Sequence, residues 1–134
     1  MKRLVSRRTA FLGVLAGFAG CGKPADPPPA RVTGRVTFQG RPLGGGLVVF
    51  VPDADKGAVG KMLSAEVTSD GRFALADGAA TVSPGWYRVA VSDPPSSYDT
   101  GFPPQLRRPD RSGLEREVKP GHDHRFEFLI ELTR

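Results

Sequence analysis

An all-β fold, an antiparallel seven-stranded β-sandwich, is predicted by three observations on this 134-residue chain. After residue 30 no stretch repeats its apolar residues at the helical spacing; short apolar alternations recur instead, and clusters of Gly, Pro, Asp and Ser separate them. A strand with one apolar face must bury that face against another layer, and many short strands of this kind are best satisfied by two packed sheets.

The first alternation covers residues 31–38, with Val32, Gly34, Val36 and Phe38 on one side and Arg31, Thr33, Arg35 and Thr37 on the other. That is a half-buried strand. Gln39-Gly40-Arg41-Pro42-Leu43 turns the chain, and residues 47–51 read as a more fully buried strand that Pro52 stops. A loop at 53–60 leads to a weaker strand at 62–68. Ser69-Asp70-Gly71 is a tight turn into strand 72–76, because Asp-Gly supplies the positive φ that a hairpin needs. Pro84-Gly85 introduces strand 86–92, in which Tyr87, Val89 and Val91 alternate with Trp86, Arg88 and Ala90. Residues 93–113 hold five prolines and no periodic apolar face, so they are expected to form a long surface loop. Strands 114–118 and 124–132, joined through Lys119-Pro120-Gly121, end the domain, with Phe126, Phe128 and Ile130 directed to the core.

Ahead of the domain stands an export signal, residues 1–20. Lys2, Arg3, Arg7 and Arg8 form its basic head, and the apolar run from Ala10 to Ala19 follows. That run is about half the roughly 20 residues a helix needs to cross the hydrocarbon core, so a cleaved signal suits it better than a permanent span. Phe18-Ala19-Gly20-Cys21 is similar to a bacterial lipobox, although Phe18 stands where Leu, Val or Ile is usual. Cys21 is the only cysteine, so the domain forms no internal disulfide and the thiol is assigned to lipidation. Ser6-Arg7-Arg8 also resembles a twin-arginine export signal with its Phe displaced by one position, and both export routes stay open. Residues 21–30, rich in proline, then act as a tether between the lipid and the 31–134 domain. The expected location is the periplasm or the cell surface, anchored to a membrane.

The formal charge of +5 belongs mainly to the signal. Four of the 19 basic residues and none of the 14 acids fall in residues 1–20, leaving 15 against 14 in the mature chain. A near-neutral domain gives no electrostatic basis for nucleic-acid binding, and none is expected.

Several spaced segments, 32–38 (VTGRVTF), 40–43 (GRPL), 48–52 (VVFVP), 69–73 (SDGRF) and 84–89 (PGWYRV), resemble the carboxypeptidase regulatory-like family. The ending, with Ser112, Gly113, Leu114, Val118, Gly121, Phe126 and Phe128, is similar to that of small planctomycete lipoproteins of this kind. The resemblance covers about 31–132 and implies a prealbumin or transthyretin-like sandwich. It implies no activity, because the family is defined by its scaffold. A related fold serves hydroxyisourate hydrolase, which relies on histidines, an arginine and a C-terminal Tyr-Arg-Gly-Ser. Here the chain ends Glu131-Leu132-Thr133-Arg134 and has no histidine before His122, so that hydrolase is disfavoured. A His-Glu-x-x-His zinc motif does not occur either.

The expected role is therefore a non-enzymatic binding or structural module, with no cofactor and an envelope protein or glycan as partner. The alternative is a carbohydrate-binding surface using the 93–113 loop, for which Trp86, Tyr98 and Phe102 are the candidate residues, since aromatic faces offer large contact area. His122 and His124 form the one metal-like pair, but two ligands make a poor site and the expectation is a solvated turn. Asp53 and Asp55 beside Gly57 lack the spacing of a calcium loop.

Overall fold

A computed structural model describes residues 30–75, 82–95 and 100–132. The signal, residues 21–29 of the tether with Cys21, and Tyr98 lie outside the described residues, while Ala30, read as the end of the tether, is buried in the domain. The fold is all-β, two sheets facing one another around an apolar core.

The strands are β1 (Arg31–Phe38), β2 (Arg41–Pro42), β3 (Leu47–Pro52), β4 (Leu63–Glu66), β5 (Arg72–Ala74), β6 (Gly85–Ser92), β7 (Leu114–Val118) and β8 (Asp123–Ile130). One sheet runs in the order β4-β3-β6-β7, antiparallel throughout. In the other, β8 lies along one edge of β1 over its whole length. The opposite edge of β1 is shared end to end: β5 pairs with Thr33, Gly34 and Arg35, and β2 with Thr37 and Phe38.

Two expectations are corrected here. The described residues contain eight strands rather than seven, because Arg41 and Pro42, read as turn, return far enough to pair with β1. The sandwich is also not wholly antiparallel, since β1 and β8 run parallel, Arg31 opposite Asp123 and Phe38 opposite Ile130. A parallel pair needs a long crossover. Nearly the whole domain supplies it, because β1 and β8 are its first and last strands.

The alternations expected in β1, β3 and β6 direct Val32, Val36, Val48, Phe50, Tyr87, Val89 and Val91 inward. Phe50 is the central ring, 6.0–6.2 Å between centroids from Phe73, Tyr87, Phe126 and Phe128. Gly34 is required by close approach: a Cβ there would stand 2.4 Å from the Phe126 carbonyl oxygen and 2.5 Å from the Phe73 ring. Gly71 adopts φ +81°, the left-handed conformation that the Asp70-Gly71 turn demands.

The segment after β6 departs from the expected free surface loop. A 3-10 turn at Pro104–Arg107 forms there, and Phe102 and Leu106 are buried in the core. Phe102 lies against Phe38 with ring centroids 5.2 Å apart.

Candidate functional site

The outward positions of the β5-β1-β8 sheet line a groove of about 730 Å³ in which several polar groups converge. Strand alternation places Thr33 and Arg35 of β1 on this face, and register brings their neighbours alongside. Ala74, Thr33 and Arg125 form one cross-strand row; Arg72, Arg35 and Glu127 form the next. Glu66 and Thr68 complete the wall beyond β5, and Phe73 closes the floor from beneath, its ring turned into the core.

The arginines of the groove differ in how they are held. Arg72 lies 3.4 Å from Asp70, an exposed pair. Asp70 in turn accepts from the Thr68 hydroxyl, which with Arg72 and Arg35 nearby keeps its carboxyl below the ordinary value of 3.8. Arg35 and Arg125 make no ion pair among the described residues. Two guanidinium forks beside threonine hydroxyls and two carboxylates can clamp an anionic group while accepting hydrogen bonds from hydroxyls around it.

A second polar cluster has structural work. Asp53 is 3% exposed, and its Oδ1 accepts from the backbone N–H of Asp55 at 3.1 Å while lying 3.4 Å from an Arg88 nitrogen. Asp55 holds the same guanidinium at 2.7 Å, and the two carboxylates, Asp53 first, keep Arg88 firmly protonated. Asp53 thereby caps the 3-10 turn Ala54–Lys56, whose Lys56 ammonium sits 3.9 Å above the Trp86 ring and 2.8 Å from Glu115. These contacts bind the loop to the outer face of β6 and β7.

Of the residues proposed from sequence for carbohydrate binding, Trp86 and Phe102 do not converge. Trp86 is half-buried beneath Lys56 at the start of β6, whereas Phe102 is 6% exposed beside Phe38 at the far end of β1. Phe102 is thus corrected from an exposed contact to a core residue: its ring fills the gap between β1 and the loop. The basic character of that loop is offset locally, by Asp93 on Arg107 at 2.5 Å and Asp110 on Arg108 at 3.2 Å.

Of the histidine pair, His124 is likewise employed elsewhere. His124 Nε2 accepts from the Lys119 backbone N–H at 2.9 Å, and its ring stacks on Phe126 at 5.3 Å. The two imidazole centroids stand 6.3 Å apart, and no group of three or more potential metal-ligating side chains forms among the described residues. The groove itself was missed by motif reasoning. Its β1 members were legible as the polar side of an alternating strand, but the β5 and β8 members reach them only through pairings remote in sequence.

No family model and no curated protein matches this chain. It is similar to one solved structure, a DUF3823 family protein from Parabacteroides merdae, with 20% sequence identity and a TM-score of 0.45. The match covers 78% of this chain and 47% of that one, so this chain spans about half the length of that protein.

Proposed function

We propose that the protein is a non-enzymatic, lipid-anchored β-sandwich of the cell envelope, held by acylated Cys21 and acting as a binding module. The carboxypeptidase regulatory-like resemblance and the two-sheet architecture are compatible with that reading. The single observation that carries the binding role is the groove in which Arg35 and Arg125 present guanidinium groups without a carboxylate partner among the described residues.

Its chemistry suits an acidic saccharide. Arg35 and Arg125 bind the carboxylate as planar forks, and Glu66 and Glu127 accept from sugar hydroxyls. This replaces the loop aromatics as the carbohydrate surface. The test is calorimetric titration with oligogalacturonate, with a neutral cello-oligosaccharide as control. A charge-assisted hydrogen bond contributes about 1.5–3 kcal/mol, so the Arg35→Ala, Arg125→Ala double variant is expected to lose roughly tenfold or more in affinity. Equal binding of the acidic and neutral sugars, or an unaffected double variant, contradicts the assignment.

A further inference from the structure

One end of the sandwich gathers features that the groove does not use. β3 finishes there at Pro52, β4 begins at Leu63, β6 begins at Gly85, β7 finishes at Val118 and β8 begins at Asp123. The pairings of Phe50 with Leu63, Pro52 with Tyr87 and Gly85 with Val118 fix these ends together. Ala30 bridges to Val82 at the same end, so the chain arriving from the tether enters here. The loop between β3 and β4 lies beside that entry: a Cβ on Gly60 would stand 3.9 Å from both Pro52 and Ser83, and one on Gly85 would stand 3.4 Å from Ala58.

On this loop Val59 is 82% exposed and Met62 66% exposed, with the exposed Lys61 between them. Lys119, in the turn between β7 and β8, is exposed at the same end. Most nearby acids are already engaged: Asp53 is buried, Asp55 is held by Arg88 and Glu115 by Lys56. Asp123 stands in register with Arg31, and Glu117 with Trp86.

We infer that this end docks on a phospholipid surface, with Val59 and Met62 entering the headgroup boundary and Lys61 and Lys119 lying at the level of the phosphates. Apolar tips flanked by lysines are the chemistry of an interfacial contact. The length of chain before the domain selects the occupant. Only residues 22–29 separate Cys21 from Ala30, and at about 3.1 Å per residue in extended polyproline geometry they span roughly 25 Å. An acylated Cys21 keeps this end, rather than the opposite one, within reach of the headgroups, and the tether supplies a high effective concentration. The inference rests on the anchored reading. Docking by this end leaves the groove on the side of the sandwich.

The test uses the full-length acylated protein in vesicles of phosphatidylethanolamine and phosphatidylglycerol. Two variants, Met62→Cys and Leu129→Cys, each carry one free thiol for a fluorophore, at exposed positions on opposite ends of the sandwich. Lipids bearing a nitroxide high on the acyl chain are expected to quench the Met62 label several-fold more than the Leu129 label. Adding Met62→Asp to a labelled Val59→Cys variant should reduce its quenching to the Leu129 level. Acylated protein with equal quenching at both ends, or a Met62→Asp change without effect, overturns docking alone. An unacylated mass in the same preparations overturns the anchored reading and the inference that rests on it.

Discussion

The Tyr87 hydroxyl donates to the Ser83 carbonyl at 2.6 Å, and burial holds its pKa above the ordinary 10.0. Ionisation would place a charge among Phe50 and the valines and remove the donor. The folded state therefore favours the neutral phenol: this contribution to stability is complete below pH 10 and is lost as pH rises through the raised value. Tyr87→Phe should cost about 0.5–1.5 kcal/mol at neutral pH and weaken the alkaline decline in stability, as read by urea denaturation on both sides of pH 10. Phe102 is tested in the same way. Its truncation to alanine empties a core position and should cost roughly 3–5 kcal/mol, while Trp86→Ala, half-buried under Lys56, should cost clearly less. Reversal of that order would contradict the burial assigned to the two rings. Tyr87 was legible in the sequence because it alternates with Val89 and Val91. Phe102 was not, because an isolated aromatic among prolines carries no period, and only the distant Phe38 decides where it lies.

At the scale of the element, β8 is an edge strand whose only backbone ladder among the described residues is with β1. Unpaired strand edges invite pairing with other chains. Arg116 of the neighbouring β7 answers this: it alternates with Leu114 and Val118 on the inward side, lies 4.6 Å over the Phe128 ring, and donates to the Glu127 carbonyl at 3.3 Å. An inward charge at an edge both covers the core and occupies an acceptor that an incoming strand would use. Arg116→Val is expected to keep apolar cover yet shift the protein toward larger species with rising concentration, as followed by sedimentation velocity. An unchanged distribution would remove this role from Arg116. The strands themselves were readable where alternation was long, as in β1, β3 and β6. The parallel β1–β8 pair and the two-residue β2 were not, since both depend on partners that no local pattern specifies.

Across the whole molecule, charge and topology divide the labour. The basic excess sits in the first 20 residues, so the near-neutral domain presents local features, the arginine groove on one sheet and the Val59–Met62 loop at the end where the chain enters. In the proposed arrangement the lipid supplies attachment, the entry end supplies contact with the bilayer, and the groove faces ligands of the envelope. All three depend on what happens at Cys21. The most direct measurement is the intact mass of detergent-extracted protein, wild type beside Cys21→Ala. The account predicts a wild-type mass of residues 21–134 plus acyl chains, with acylation abolished in the variant. An unlipidated mature chain in the wild type would contradict it.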